Sequence, residues 1–174
     1  MIKPVFVCCL ICLLSYPSLH AQVIIFAKNI ENQYGANTGY SVKQTTDGGY
    51  IISGTATNDS AETSVFLFKT NAYGDTLWAK YLVLGKGNSV LQTTDGGYVI
   101  AGCINCYLYT PDSEILLLKT DSNGNLLWTK TYGGSGREWA TAVRQTTDGG
   151  FIVGGRTNSY GQGSADMWLV KTDS

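Results

Sequence analysis

Two cysteines with a reactive spacing occur in the middle of the chain, in Cys103-Ile104-Asn105-Cys106. A Cys-x-x-Cys pair can bind a metal ion or carry out thiol exchange. Zinc needs four ligands, however, and the sequence has no second pair and no histidine beyond residue 21, because Cys8, Cys9, Cys12 and His20 all lie in the first 21 residues. The thioredoxin-like βαβ context of a redox enzyme is also absent. A local disulfide is the favoured interpretation, ahead of free thiols and redox catalysis.

Carboxylates recur at one place in a repeated phrase, Gln-Thr-Thr-Asp-Gly-Gly. Its three copies start at Gln44, Gln92 and Gln145, 48 and then 53 residues apart. An active site is normally built once from unlike groups, whereas Asp-Gly supports the positive φ angles of a two-residue hairpin turn. We therefore predict that these pairs are structural. The pairs are Asp47-Gly48, Asp95-Gly96 and Asp148-Gly149.

Other chemical arrangements are weaker. The segment 121–125, Asp-Ser-Asn-Gly-Asn, resembles the start of a calcium loop but lacks the later bidentate glutamate. A Ser-His-Asp triad cannot form without a histidine beyond His20. Paired carboxylates for glycoside cleavage remain open, although nothing in the sequence pairs any two. The candidates are Glu62, Asp112, Glu114 and Glu138. We predict no catalytic residue, no cofactor and no metal site.

The repeat predicts the elements that carry these residues. Each copy divides into four strand-like segments, and four strands in a unit of about 50 residues are typical of a β-propeller blade. In the third copy the segments are Leu126–Tyr132, Ala140–Thr146, Phe151–Thr157 and Asp166–Thr172. The sequence predicts an all-β repeat domain over residues 22–174, with three four-stranded antiparallel blades of a partial or open propeller. The predicted blades are about 23–70, 76–120 and 126–172.

Three blades leave a physical difficulty, because propellers usually close with four to eight blades. An open arc exposes two apolar blade faces. Two chains could complete a six-bladed ring as a homodimer, another protein could cover the faces, or C-terminal blades of a longer propeller could be missing. The last of these is the favoured expectation.

The first 21 residues are typical of a secretory signal peptide, with Lys3, an apolar run over 5–14 and a small-residue region over 17–21. About ten apolar residues are too few to span a bilayer, which needs about 20. We predict an exported protein, secreted, periplasmic or on the cell surface, without stable membrane insertion. The net charge of −1 and the lack of a basic run argue against a nucleic-acid partner.

The repeated phrases resemble those of exported bacterial β-propeller repeat proteins, which are abundant in Bacteroidota. They are Trp-x-Lys, Gln-Thr-Thr-Asp-Gly-Gly-Tyr/Phe and Leu-x-Lys-Thr-Asp-x-x-Gly-Asn-x-x-Trp, and they span residues 23–174. The spacing of Asp121, Gly124 and Trp128 also resembles the tryptophan-docking motif of quinoprotein propellers. That resemblance implies that Trp78 and Trp128 wedge between neighbouring blades, without the quinone chemistry.

The connections between strands fall into two groups. One face of a propeller would carry short connections that are alike between copies, and the other would carry loops that differ. The differing loops include 103–113, 133–139 and 158–165. Their aromatic residues are predicted to bind a carbohydrate or a protein partner, although some could instead cover blade edges. These residues are Tyr107, Tyr109, Trp139 and Tyr160. We predict a non-catalytic binding or scaffold module. The alternative is part of a glycan-active or quinoprotein-like propeller enzyme.

Overall fold

The computed structural model describes residues 26–29, 36–58, 60–106 and 112–173. The predicted leader, residues 1–21, lies outside the described residues, as do Tyr107 and Tyr109. The described residues form strands and turns without a helix, so they include none long and apolar enough to cross a membrane. The predicted all-β class is confirmed.

Eleven strands in the described residues form three antiparallel sheets. The first sheet contains β1 (Asn37–Gln44), β2 (Tyr50–Thr57), β3 (Thr63–Thr70) and β4 (Thr76–Leu84). The second contains β5 (Lys86–Gln92), β6 (Tyr98–Ile104), β7 (Glu114–Thr120) and β8 (Leu126–Tyr132). The third contains β9 (Glu138–Gln145), β10 (Phe151–Thr157) and β11 (Asp166–Lys171). Strands that are consecutive in the chain pair with each other, which gives three blade-like meanders.

The sheets stack face to face in chain order, and two apolar clusters fill the spaces between them. The cluster between the first and second sheets includes Ile51, Leu67, Val90, Ile100 and Leu116. The cluster between the second and third sheets includes Val99, Leu117, Val143, Phe151 and Val153. Successive side chains of a strand point to opposite faces. The middle strand β6 therefore supplies both clusters and is buried on both sides.

The sheets differ from the predicted blades by one strand. The prediction began the second and third blades with the segments of Trp78 and Trp128, but β4 and β8 instead complete the sheet that precedes them in the chain. The reason is the tight turn over 71–75, in which Asn71 N–H donates to Asp75 O at 3.0 Å. This hairpin pairs β4 with β3, and the chain passes to the second sheet only at Gly85. The described part of the third sheet accordingly has three strands rather than the predicted four.

Trp78 and Trp128 each contact the following sheet. The ring centroid of Trp78 lies 5.9 Å from that of Tyr98 in an edge-on arrangement, and Trp128 lies 6.1 Å from Phe151. Gly124 permits the first contact, because a Cβ atom there would lie 2.7 Å from Trp78 Cζ3. Both tryptophans are thus wedged between neighbouring sheets.

Hydrogen bonds between sheets align the hairpins. Gln92 Oε1 accepts from Thr46 N–H at 2.9 Å, and Gln145 Oε1 accepts from Thr94 N–H at 3.0 Å. Because turns alternate between the two ends of an antiparallel meander, this alignment gives the stack two distinct ends. We call one the turn end; it carries the connections 45–49, 71–75, 93–97, 121–125 and 146–150. The opposite loop end includes the connections 58–62, 133–137 and 158–165.

Candidate functional site

The Asp-Gly turns at the turn end use their carboxylates internally. Asp47 Oδ1 accepts from the Thr45 hydroxyl at 2.6 Å and from Gly49 N–H at 3.0 Å. Its Oδ2 accepts from Lys69 Nζ at 2.8 Å. Asp95 and Asp148 accept equivalent bonds in the second and third sheets. These three carboxylates therefore hold hairpins together and are already paired with a cation.

Their ionisation follows from these partners. The ammonium group of Lys69, hydrogen-bonded to Asp47, holds the pKa of that carboxyl well below its usual range. The Thr93 hydroxyl and Lys119 lower the pKa of Asp95 to about 2, despite a partial opposing effect of burial. Asp148 has a lowered pKa for the same reason as Asp47, with Lys171 as its main partner. At neutral pH these groups are anionic and do not donate protons.

The second set of turns uses side-chain oxygens in the same way. Asp121 Oδ1 accepts from the N–H groups of Asn123 at 2.9 Å and Asn125 at 2.8 Å. Asn71 Oδ1 accepts equivalent bonds in the first sheet. The calcium-like segment 121–125 is thus a self-contained turn. In the described residues, no group of three or more His, Cys, Asp or Glu side chains could hold a metal ion.

At the loop end, Glu138 anchors two connections. Its side chain is fully buried at the start of β9. Oε2 accepts from Gly134 N–H at 2.9 Å, and Oε1 accepts from the Thr157 hydroxyl at 2.8 Å. Oε1 also accepts from the N–H groups of Asn158 and Ser159. One carboxylate therefore joins the loop 133–137 to the loop 158–165.

Glu138 is ionised in spite of its burial. Burial on its own raises the pKa of this carboxyl, but the hydrogen bonds that it accepts together outweigh the effect and lower the pKa below its usual range. Glu114 borders the same glycine, Gly133, as Glu138 does. The oxygens of Glu138 accept hydrogen bonds from loop donors, and its lowered pKa does not suit the general acid of glycoside cleavage, which needs a raised pKa. Glu62 is held by the Asn58 amide at 2.8 Å.

Sequence alone did not identify the role of Glu138. It aligns with Asn37 and Gly85 in the other copies, counting back from the shared glutamine. An acidic residue that departs from the repeat at the start of a strand was the available signal. Its short distance from the polar run Thr157-Asn158-Ser159 appears only in the folded sheet.

Tyr160 is the aromatic residue that the structure leaves presented on the loop 158–165. Its hydroxyl donates to Gly133 O at 3.0 Å, and its ring centroid lies 5.1 Å from that of Trp168. The ring is about half exposed. It is consequently a fixed aromatic surface at the loop end, suited to stacking against an apolar face of a ligand.

Trp139 lies in a strand and not in the loop 133–139 to which the sequence analysis assigned it. It belongs to β9 and is half-buried, with the Arg156 guanidinium carbon 4.8 Å from its ring centroid. In the register of the third sheet, Arg156 is opposite both Trp139 and Met167, so the three share the outer face of that sheet. Trp139 and Tyr160 are therefore separate surfaces, because β9 turns the tryptophan towards the side of the stack.

Cys103 and Cys106 form a disulfide in the structure, with 5.8 Å between their Cα atoms. Cys103 is buried at the end of β6, and the bridge closes the chain just after that strand. It reinforces the base of a loop-end connection. The arrangement matches the favoured interpretation of the pair and leaves neither thiol free.

The loop end of the first sheet also contains a cavity of about 320 Å³. It is lined by Ala56, Thr57, Asn58, Glu62, Ser64 and Tyr81. No protein-family model matches the chain, and it has no significant match among curated proteins. The loop end, with the buried Glu138 and the exposed ring of Tyr160, is therefore the basis for a functional proposal.

Proposed function

We propose that the chain is a non-catalytic binding or scaffold module that uses its loop end, and that it belongs with the exported β-propeller repeat proteins its repeats resemble. The observation that carries the proposal is the contrast between the two ends of the stack. The turn-end carboxylates are engaged by their own lysines and threonines. The loop end instead holds unlike loops on a buried anchor, Glu138, and presents the ring of Tyr160.

This arrangement suits recognition because the aromatic surface is preorganised. The hydroxyl bond to Gly133 and the contact with Trp168 restrict the Tyr160 ring before any ligand arrives. Restricting a side chain in advance lowers the entropy that is lost on binding. A carbohydrate or a protein surface could occupy the site, and a ring with one apolar face suits either class.

A panel of soluble oligosaccharides tested by isothermal titration calorimetry provides the first experiment. For any sugar that binds, Tyr160→Ala should weaken binding about tenfold, equivalent to about 1.4 kcal/mol. Tyr160→Phe keeps the ring but loses the bond to Gly133, so it should weaken binding less. Tyr73→Ala removes an exposed ring at the turn end and should leave binding unchanged.

The outcomes separate the alternatives. Binding that is lost in Tyr73→Ala but kept in Tyr160→Ala would move the site to the turn end and contradict the proposal. Cleavage of a bound oligosaccharide, followed by chromatography, would favour a glycan-active enzyme instead. Export is checked independently by expressing the full chain with a secretion pathway and reading the N-terminal residue by mass spectrometry. Processing after Ala21 is expected.

A further inference from the structure

The outer faces of the sheet stack expose residues that are buried elsewhere in the repeat. Val65 and Leu67 of β3 are buried beneath the second sheet, and Ile115 and Leu117 of β7 are buried beneath the third. The corresponding residues of β11 are Met167 and Leu169. These are 85% and 65% exposed. The third sheet thus has a face built to be covered by another sheet, which we call the trailing face.

The first sheet has the complementary face, which we call the leading face. Val90 and Val143 at equivalent positions in β5 and β9 are fully buried against the preceding sheet, whereas Val42 in β1 is 59% exposed. Ile52 and Phe68 lie on the same face as Val42, because they are aligned with it across the sheet. Phe68 is buried in a small cluster with Ala56 and Phe66, so this face is exposed at Val42 and already covered at Phe68. Among the described residues, the interface between a trailing and a leading face forms twice, and one face of each kind has no sheet packed on it.

A short segment already marks the place of a preceding sheet on the leading face. The Phe26 ring centroid lies 6.0 Å from that of Tyr50, edge-on, as Trp78 lies against Tyr98. A Cβ atom at Gly74 would meet the Phe26 ring at 2.7 Å. Gly124 has the same relation to Trp78. Phe26 therefore occupies on the first sheet the position that Trp78 occupies on the second.

A lysine two residues later repeats the pattern. Lys28 Nζ donates to Asp75 Oδ1 at 3.0 Å, just as Lys80 Nζ donates to Asn125 Oδ1 at 3.3 Å. Lys80 belongs to β4, the outermost strand of the sheet that precedes the second. Residues 26–29 thus lie where the outermost strand of a sheet preceding the first would lie.

The third sheet lacks that outermost strand within the part of the chain that the structure describes. In the first two sheets, Lys69 pairs with Trp78 and Lys119 pairs with Trp128. Lys171 is the corresponding lysine of β11. A fourth strand with Phe26 opposite Lys171 and Ala27 opposite Val170 would reproduce the register in which Phe68 is opposite Ala79.

The hydrogen bonds that join neighbouring sheets leave one acceptor on the first sheet and one donor on the third sheet without the partner seen at the other junctions of the described chain. Gln44 is the counterpart of Gln92 and Gln145, but among the described residues its amide only donates, to Gly48 O. Thr147 is the counterpart of Thr46 and Thr94, and its N–H donates to no acceptor within the described ranges. A trailing face placed on a leading face would join this pair. One bond would be missing, since Ala142 replaces Ser41 and Ser89, whose hydroxyls accept from the next sheet.

We propose that a second copy of this chain covers these faces, head to tail, so that two copies close a ring of six sheets. The segment 26–29 of each copy adds as a fourth strand to β11 of the other. A closed pairing removes the free edge of β11 and buries both apolar faces. Six sheets fall within the four to eight that propellers use. The same contact made twice about a two-fold axis closes the assembly without leaving an open end.

The oligomeric state of the full chain tests the proposal by size exclusion with light scattering, without any ligand. The expected mass is that of two chains, with dissociation only on dilution. Met167→Asp combined with Leu169→Asp should give a monomer that stays folded by circular dichroism, because both side chains are exposed within one chain. Leu127→Asp changes an exposed apolar residue of the middle sheet and should leave the dimer intact.

A cross-link tests the register. Ala27→Cys with Val170→Cys should give a covalent dimer on a non-reducing gel, since opposed residues of paired strands bring their Cβ atoms about 4.5–5.5 Å apart. Ala27→Cys with Leu169→Cys places the thiols on opposite faces and should cross-link poorly. The proposal is overturned by a wild-type monomer at every concentration, by an assembly larger than two copies, or by a dimer that survives the double Asp variant. Equal cross-linking of the two cysteine pairs would also overturn it.

Discussion

Lys69 Nζ lies 2.8 Å from Asp47 Oδ2, and the lysine side chain is 4% exposed while that of the aspartate is 56% exposed. The lysine is buried because the second sheet covers the face of β3 on which it lies. It also donates to Thr70 O at 2.8 Å. The ion pair therefore links the turn 45–49 to β3. Its lysine lies in the core and its aspartate lies at the surface.

Removing the buried lysine should destabilise the fold. Lys69→Met leaves Asp47 and Thr70 O without their charged donor, and we expect a loss of about 1–2 kcal/mol in the free energy of unfolding, because the aspartate remains partly solvated. Lys171→Met is the matched control, and both lysine variants are compared in the Met167→Asp, Leu169→Asp background, in which the trailing face stays uncovered. The Lys171 side chain is 43% exposed within one chain, so the loss should be smaller. Urea denaturation of both variants measures the difference, and equal losses would contradict the role of burial.

Acid should lower the free energy of unfolding by protonating the carboxylates of the Asp-Gly turns. A carboxyl whose pKa is lowered in the folded state stabilises the fold above its ordinary pKa and loses that contribution as the pH falls. For Asp95 the folded pKa is about 2 and the ordinary value is 3.8, so the loss should fall between about pH 4 and pH 2. Urea denaturation across this range measures it. Asp95→Asn should flatten the dependence, and an unchanged slope in that variant would disprove the assignment.

Glu138 should hold two loops in place. Glu138→Gln keeps the shape but replaces one acceptor oxygen with a donor, so that some of its partners lose their acceptor. We expect a loss of about 2 kcal/mol in the free energy of unfolding. Amide hydrogen exchange should accelerate at Gly134 and Ser159, as followed by NMR. Glu114→Gln, beside the same glycine, is the control and should leave exchange at those amides unchanged.

Substitutions at Gly96 and Gly124, which have similar backbone angles, distinguish the cost of backbone strain from the cost of displacing the Trp78 ring. Gly96 has φ of 84° with no atom within 4 Å of an added Cβ, whereas Gly124 has φ of 77° and faces the Trp78 ring. Gly96→Ala should cost about 1 kcal/mol for its conformation alone. Gly124→Ala should cost more, because the ring must move as well. Thermal unfolding compares them, and a difference near zero would show that Trp78 docking contributes little.

Local features of the fold were predictable from the sequence. The bounds of β8 and β10 coincide with the predicted segments, because strand alternation and turn residues act over a few positions. The assignment of β4 and β8 to sheets was not predictable in the same way. A repeated sequence specifies a period but not where a unit begins, and the starting point depends on which hairpin closes tightly.

The candidate site was harder to predict because its geometry depends on distant strands. Tyr160 was expected at the loop end, and the described structure presents it there. The contact of Trp139 with Arg156 instead depends on the pairing of β9 with β10. A side chain in a strand faces one side or the other according to register, so the extra residue of β9, Thr141, opposite Gly154 and Gly155 matters more than the residue type.

The glutamine bonds that join neighbouring sheets have a consequence for how such a gene can change. Gln92 and Gln145 each accept a hydrogen bond from a threonine N–H of the preceding sheet, so both junctions between sheets are held by the same contact. Duplication of a whole unit would therefore bring its own compatible junction, with no new surface to evolve. Insertions within the loops would leave those junctions untouched. Growth by whole units and diversification by loops can then proceed independently within one lineage.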